Sequence, residues 1–308
     1  MLEKEHWLTM SDGHEVFLTE WVNDEVKPKA VLQIAHGMTE HSKRYRELAE
    51  HLVSMGFVVY GNDHRGHGRT GEKSGLLGFF TEENGFERVV DDLKEINDEV
   101  HRMHPDLPIF MMGHSMGSFL VRRYLQRFSG TINGVIISGT GSDRGLLGKM
   151  GRMLAKAEMK IRGKRTKSPL LDKLSFGDFN KKFTDVQTKF DWLSRDREQV
   201  RIYVADPYCG FIPTAGFFYD LFTGLETIHQ PGEVSRMEKD IPFFFISGDQ
   251  DPVGEYSKGV LRVIDQYKQQ GFTTIDYKLY KEGRHEMINE TNRQQVIEDI
   301  ANWLQARL

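Results

Sequence analysis

The pentapeptide Gly113-His114-Ser115-Met116-Gly117 places a serine between two glycines and fits the pattern G-x-S-x-G. An apolar run precedes it and an apolar helical pattern follows it, so the serine falls where a strand turns into a helix. Such a turn points the hydroxyl out of the sheet, and the glycines remove side chains that would collide with the neighbouring strand and helix. The alternative is an ordinary turn with a helix-capping serine. The context favours a nucleophile.

A serine hydroxyl needs a general base, and the base needs an acid that fixes its tautomer. In this arrangement the acid and then the histidine follow late strands. His285 lies in the loop KEGRHEMINE after a predicted strand, and we predict that it is the base. Asp249 and Asp251 both follow the strand 241–247. The spacing Gly248-x-x-Asp251 favours Asp251 as the acid, and Asp249 is then expected to shape the turn.

Acyl transfer also requires N–H donors for the oxyanion that forms during the attack. The first donor is expected to be the residue after the nucleophile, which is Met116. The second is expected from an early strand-to-helix loop, and HGMTEHSKRY follows the predicted strand 30–36. Gly37 lets this loop pass close to Ser115, so the N–H of Met38 is the candidate donor.

The segment GNDHRGHGRTG contains Asp63, His64 and His67, which are residue types that bind metals. Two histidines three residues apart lack a third and fourth ligand nearby, so a structural loop is the favoured interpretation. No metal and no cofactor are predicted. Cys209 has no histidine or basic residue near it along the chain, and we interpret it as a packed thiol.

Apolar, β-branched runs alternate with amphipathic helical patterns in both flanks of the chain. This alternation predicts an α/β fold with a mostly parallel sheet of about eight strands and helices on both faces. Strands are predicted at 14–22, 30–36, 57–63, 108–114, 132–139, 241–251 and 273–280. Helices are predicted at 45–56, 85–105, 115–128, 255–271 and 292–308.

The alternation stops between about 141 and 234. We predict that residues 1–140 and 235–308 form the core and that 141–234 form a helical cap inserted into the same domain.

Within this insertion, residues 146–167 have the pattern of a basic amphipathic helix. Its apolar stripe comprises Leu146, Met150, Met153, Leu154, Ala157 and Ile161. One interpretation is contact with an anionic membrane. The other is packing of the stripe on the core, which Gly148 and Gly151 favour because they weaken an isolated helix.

The composition limits the partners of this 308-residue chain. Its net charge of −4 argues against nucleic acid. One cysteine permits no internal disulfide, so a reducing compartment is permitted but not required. The charged N-terminus lacks the features of a signal peptide, and no run of about 18 apolar residues is present. We expect a cytoplasmic protein whose contact with a membrane, if the first interpretation of 146–167 holds, is peripheral.

Five segments together resemble the monoacylglycerol lipase and lysophospholipase group of the α/β-hydrolase fold, within the wider serine aminopeptidase-like (S33) family: HGMTEHSKRYRELAEHL, DHRGHGRTG, GHSMGS, GDQD and EGRHE. The resemblance covers roughly 1–140 and 235–308. Ser118 stands where many relatives carry glycine, a difference that should matter little. The insertion matches poorly, so the substrate stays open. The resemblance implies the α/β-hydrolase fold, a nucleophile, a base and an orienting acid, and an oxyanion hole: Ser115, His285, Asp251, and the N–H groups of Met38 and Met116.

These expectations combine into a serine hydrolase that cleaves lipid esters through an acyl-enzyme, without a cofactor. The resemblance implies a monoacylglycerol or a lysophospholipid as the preferred substrate. The aromatic segment 208–225 agrees with this, because it suits an acyl chain better than a charged peptide end. The same scaffold supports carboxylesterases, thioesterases and aminopeptidases. A non-catalytic ligand-binding protein is a further alternative, but such a protein need not retain all three residues of the triad.

Overall fold

The apolar runs of the sequence form the strands of a single sheet in the computed structural model, which describes residues 1–308. The strands are β1 (Leu2–Thr9), β2 (Glu15–Val22), β3 (Ala30–Ala35), β4 (Phe57–Asn62), β5 (Ile109–His114), β6 (Gly134–Ser138), β7 (Phe243–Gly248) and β8 (Ile275–Tyr280). Their order across the sheet is β1-β2-β4-β3-β5-β6-β7-β8. The β1–β2 and β2–β4 pairs are antiparallel, and all other neighbouring pairs are parallel. The mostly parallel sheet of eight strands is confirmed.

Helices cover both faces of this sheet. The helices of the chain are α1 (Arg46–Ser54), α2 (Gly68–Lys73), α3 (Gly85–Met103), α4 (Met116–Phe128), α5 (Leu146–Arg162), α6 (Pro169–Phe176), α7 (Arg197–Ala205), α8 (Ala215–Ile228), α9 (Pro231–Val234), α10 (Lys258–Gln269) and α11 (Arg293–Gln305). Helices α3, α4, α8 and α10 contribute to one hydrophobic cluster, and α1 and α11 contribute to the other. Along β5, Met111 joins the first cluster and Phe110 and Met112 join the second, as expected for a strand that is buried on both faces.

Two elements have no counterpart in the sequence-based expectation. Strand β1 has the sequence LEKEHWLT, which lacks an apolar face, and its side chains are exposed or half-buried. It forms through backbone pairing with β2 at the edge of the sheet, where Leu2 lies opposite Val22. Helix α2 has only six residues, two of which are glycine, so it has no helical pattern to detect.

The insertion between β6 and β7 contains helices α5 to α9 and contributes no strand to the sheet. Helix α8 carries Phe217, Phe218 and Leu221 into the same buried cluster as α3 and α4. Helix α5 then packs on α8, where Gly151 faces the ring of Phe222. The insertion is therefore built outward from the main core.

The expectation that α5 packs its apolar stripe on the core is wrong. Leu146, Met150, Met153 and Ile161 are 73%, 55%, 68% and 83% exposed. The buried residues of α5 are instead Ala155 and Glu158, and Gly151 allows a close approach to Phe222 on α8. The pattern of large apolar residues therefore identified the outer face of this helix. No helix of the protein combines the length and the apolar character needed to span a bilayer.

Candidate active site

Ser115 sits at the turn between β5 and α4 in a strained backbone conformation, with φ 52° and ψ −119°. Its N–H donates to the carbonyl of Ser138 at 2.9 Å, which ties the turn to the neighbouring strand β6. A Cβ at position 113 would overlap the carbonyl oxygen of Gly117, and a Cβ at position 117 would overlap that of Ala35. Both flanking positions therefore require glycine, and the Ser115 side chain faces the cavity described below.

His285 and Asp251 form a buried pair in the loops after β8 and β7. The Nδ1 of His285 lies 2.9 Å from Oδ1 of Asp251, and the two residues are 1% and 0% exposed. The same carboxylate oxygen accepts the N–H of Val253 at 2.9 Å, which fixes its orientation. A proton on Nδ1 leaves Nε2 of His285 as the free basic nitrogen.

The second candidate acid, Asp249, makes different contacts. Its Oδ1 accepts the N–H of Glu282 at 2.8 Å and a side-chain N–H of Gln250 at 2.9 Å. It thus bridges the loops after β7 and β8 at a point away from the histidine ring. The structure brings Asp251, and not Asp249, to His285.

The pKa of His285 reflects a balance of opposing effects. Burial lowers it, but the carboxylate of Asp251, with smaller contributions from Glu286 and Glu40, more than compensates, so that the pKa is raised above the usual histidine value. The neighbouring His114 ring lies 4.7 Å from the His285 ring. Burial, reinforced by the nearby His285, lowers the pKa of His114 to about 3, so His114 is neutral near pH 7.

Ser115 and His285 line the same cavity, but no hydrogen bond joins the two side chains in the structure. Hydrogen bonds between catalytic groups are often long without substrate and tighten when it binds. The arrangement therefore places a base beside a serine without fixing the final distance between them.

The loop after β3 approaches the serine from the other side. A Cβ at position 37 would lie 2.7 Å from Oε1 of Glu40 and 3.2 Å from Cβ of Ser115, so a larger residue here would have to displace one of these side chains. No hydrogen bond within the protein engages the N–H of Met38 or of Met116. Both predicted donors are therefore available to a ligand at Ser115.

A buried charge network joins these loops, and sequence reasoning missed it. Arg44 donates to both carboxylate oxygens of Glu286 at 2.5 and 2.6 Å and to Oε2 of Glu40 at 2.7 Å. The Oε1 of Glu40 accepts the N–H of Gly37 at 2.5 Å. Burial would raise the pKa of Glu286, but the Arg44 guanidinium overrides it and lowers the value to about 2. The segments HGMTEHSKRY and EGRHE contain all four residues, but only the fold pairs them.

The cavity over Ser115 has a volume of about 260 Å³ and is lined by 20 residues. Twelve of them belong to the insertion, including Phe176, Tyr203 and Phe211. Trp192 packs its ring 5.0 Å from the ring of His285. The core therefore supplies the candidate reacting groups, and the insertion supplies most of the walls.

The loop with Asp63, His64 and His67 has a different organisation. Both oxygens of Asp63 are occupied, one by the N–H and hydroxyl of Ser42 and the other by the N–H of Arg69. Burial lowers the pKa of His64 to about 3 and that of His67 to about 4. His64 and His67 are therefore neutral packing groups near pH 7, and Asp63 is an acceptor that shapes the loop beside the site.

Comparison with known proteins identifies the family. Residues 26–292 match the family described as serine aminopeptidase, S33. This chain belongs to that family. It is 27% identical to a monoacylglycerol lipase of Mycolicibacterium smegmatis, with 99% of this chain and 98% of the relative covered. It is 26% identical to the human monoglyceride lipase, with 97% and 90% covered.

Solved structures agree with the assignment to this family. A thermostable carboxyl esterase from Bacillus coagulans in complex with glycerol aligns with a TM-score of 0.91 and 30% identity over 99% of both chains. A lipase in an open form aligns with a TM-score of 0.88 and 26% identity over 99% of both chains. The α/β-hydrolase fold predicted from the sequence is confirmed.

Proposed function

We propose that this protein is a serine hydrolase that cleaves carboxylic esters of lipids, with a monoacylglycerol or a lysophospholipid as its preferred substrate. The observation that carries the proposal is the buried Asp251–His285 pair on the same cavity as Ser115. The strained turn at Ser115 supports the role of nucleophile. The monoacylglycerol lipases and the esterase among the similar proteins support the reaction class.

In the proposed mechanism, Nε2 of His285 takes the hydroxyl proton as Ser115 Oγ attacks the ester carbonyl. The N–H groups of Met38 and Met116 bind the oxyanion. The protonated histidine then gives its proton to the leaving alcohol, and an acyl-enzyme remains. A water molecule, deprotonated by His285, attacks this ester, and the histidine returns the proton to Oγ of Ser115 as the fatty acid leaves. Asp251 keeps the imidazole in the required tautomer throughout and stabilises its cationic form.

The charges in the cavity favour a neutral ester over a peptide with a free amino end. Three carboxylates line the cavity: Glu40, Glu286 and Asp172. The first two already bind Arg44, and the lysines Lys173 and Lys189 in the same lining offset the charge of Asp172, so no carboxylate is left free for an ammonium group. An aminopeptidase would need such a charge, whereas an esterase or a thioesterase would not.

A panel of substrates tests the proposal. Purified protein is assayed against monoacylglycerols, lysophospholipids, short-chain esters, thioesters and aminoacyl amides, with chain length varied within each class. We expect the highest kcat/KM for a monoacylglycerol or a lysophospholipid. Faster cleavage of the aminoacyl amides would overturn the proposal.

The nucleophile is tested in the same assay. A fluorophosphonate probe should label the wild-type protein, and Ser115→Ala should abolish both labelling and hydrolysis. Ser118→Ala is the matched control, because its hydroxyl donates to the carbonyl of Ser115 and does not face the cavity. Labelling that survives in Ser115→Ala would exclude this residue.

We also propose that residues 141–234 act as a cap over the core formed by 1–140 and 235–308, and that 146–167 contact an anionic membrane. The exposed apolar side chains of α5, together with the lysines on the same helix, support this contact. It would bring the cavity close to the lipid phase that holds the substrate.

A further inference from the structure

Cys209 is isolated along the chain, but the fold gives it two partners. His41 lies in the loop after β3, whereas Asp206 and Cys209 lie just after α7 in the insertion. The Nε2 of His41 is 2.9 Å from Oδ2 of Asp206. The Sγ of Cys209 completes a group whose three ligand atoms all lie within 4.8 Å of one another.

The donor types define which cation would bind. Imidazole, thiolate and carboxylate are the ligands of Zn²⁺ and related transition metals, whereas Mg²⁺ and Ca²⁺ prefer oxygen alone. Zinc bonds of about 2.0–2.3 Å in a tetrahedral site separate the ligand atoms by about 3.5 Å. Side-chain movements of about 1 Å would therefore convert the present arrangement into a three-ligand site with a fourth position open to water.

The surroundings orient these groups. The Oδ1 of Asp206 accepts the N–H of Tyr208 at 2.8 Å, which turns Oδ2 towards His41. The N–H of Cys209 donates to the carbonyl of Asp206 at 3.1 Å, so one turn holds both side chains. The side chains of His41 and Asp206 are 12% and 25% exposed, which leaves a path from solvent. Such outer contacts are typical of groups that hold a metal.

The position of this group links two walls of the cavity. The carbonyl of Thr39, in the loop that also carries Met38, accepts the N–H of Gly210 at 3.0 Å and the hydroxyl of Tyr203 at 2.9 Å. Thr39, Tyr203 and Gly210 all line the cavity. We propose that His41, Asp206 and Cys209 bind a thiophilic divalent cation such as Zn²⁺, which ties the loop of Met38 to the insertion.

Binding at this site has a defined proton balance. When the metal binds, His41 presents Nε2 as a neutral imidazole with its proton on Nδ1, and the metal displaces the proton of the Cys209 thiol. Burial raises the pKa of that thiol, so the free group is protonated near pH 7. This thiol proton goes to solvent, and the affinity for the metal should therefore increase as the pH rises.

The chain has a single cysteine, which makes Co²⁺ a specific probe. The full-length protein, freed of metals by chelation, is titrated with Co²⁺ and followed by absorption. We expect a thiolate-to-cobalt charge-transfer band in the near ultraviolet that saturates at one equivalent and disappears when Zn²⁺ is added. Because only Cys209 can supply a thiolate, absence of the band from the wild-type protein would overturn the proposal.

Two variants locate the site. Cys209→Ser should remove the band, and His41→Ala should weaken the affinity for Zn²⁺ at least tenfold by calorimetry. His51→Ala is the matched control on α1 and should leave the affinity unchanged. Thermal unfolding checks that each variant is folded, and Zn²⁺ should raise the Tm of the wild-type protein but not that of Cys209→Ser. Equal zinc affinity in His41→Ala and the wild-type protein would refute the assignment.

The outcome is independent of the hydrolase proposal. Ser115→Ala should bind the metal as the wild-type protein does while it lacks esterase activity. Loss of metal binding in Ser115→Ala would place the cation at the catalytic residues and overturn the proposed site.

Discussion

The turn at Ser115 and the helix α5 differ in how closely the rest of the chain packs around their side chains. At the turn, an added Cβ at Gly113 or Gly117 would collide with backbone, so a single extra carbon atom would disrupt the turn. On α5, Met153 and Ile161 are mostly exposed, and nothing within the chain depends on their shape. The comparison indicates that the chemistry is fixed by internal contacts, whereas the surface of the insertion is free to be fitted to something outside the protein.

The cavity likewise combines residues held firmly by the sheet with walls that come from the insertion. The core contributes residues whose backbone is tied to the sheet, and the insertion contributes the aromatic walls. The two parts meet where the carbonyls of Trp192 and Leu193 accept the N–H groups of His285 and Glu286 at 3.4 and 2.7 Å. Substrate choice can therefore vary on one side while the reacting groups stay in place on the other.

The largest expected effect concerns the acid. Asp251→Asn should lower kcat/KM by about 10⁴-fold, because an amide does not hold His285 in the required tautomer. Asp249→Asn is the matched control, since an asparagine oxygen can still accept the N–H of Glu282, and it should cost less than about threefold. Steady-state kinetics on a soluble ester measure both. A greater loss in Asp249→Asn would reverse the assignment.

The second prediction tests the packing at the turn. Gly117→Ala should lower the free energy of unfolding by about 3 kcal/mol, because a Cβ there overlaps the carbonyl of Ala35 on β3. Gly232→Ala, in α9, is the control: no atom lies within 4 Å of a Cβ at that position. Urea unfolding compares the two, and equal stabilities would contradict the close contact.

The third prediction uses the pKa of His285. The base must be neutral to accept a proton, so activity should fall as the pH drops through a value above the usual histidine pKa. The Glu286 carboxylate helps to raise that pKa. In Glu286→Gln the charge is lost while Arg44 stays, so the acidic limb of the kcat/KM profile should move to lower pH.

Glu282→Gln provides the control for this shift, because the side chain of Glu282 is 68% exposed and its charge is screened by solvent. Its profile should match that of the wild-type protein. A Glu286→Gln profile that stays in place or moves to higher pH would show that Glu286 does not act on the histidine.

The smallest expected effect on catalysis concerns α5. Met150→Ser with Met153→Ser should leave the Tm and the hydrolysis of a soluble ester unchanged, because both side chains are exposed. Binding to vesicles with anionic lipids should weaken about tenfold, since apolar side chains supply part of the affinity at the interface. Sedimentation with vesicles measures this, with Met103→Ser on α3 as the control. Unchanged sedimentation of the double variant would exclude α5 as the contact.

The candidate catalytic residues of the core could be predicted from the sequence, because each lies in a local pattern of a few residues. A serine at a strand-to-helix turn, a glycine-containing loop after a strand and the spacing Gly248-x-x-Asp251 each have a physical reason that acts within a few residues. These rules identify Ser115, Asp251 and His285 as candidates from the sequence alone.

Contacts between distant segments were beyond such rules. Arg44 and Glu286 pair across more than two hundred residues of chain, and nothing near either one in sequence indicates the partner. Strand β1 forms because β2 offers an edge, and its own residues do not require it. The amphipathic helix α5 was predicted correctly. The face that packs on the protein, however, is the one with Gly151 and Ala155, and not the one with the large apolar residues.

The backbone bonds from residues 192 and 193 to the histidine loop limit how this enzyme can be re-engineered. Exchange of the whole insertion with that of a relative would replace both acceptors, so activity would survive only where the new segment places carbonyls at the same two points. Grafts confined to α6 would leave those bonds intact and would still change Phe176 and the neighbouring residues of the cavity wall. The insertion is therefore modular in its walls but not at residues 192 and 193.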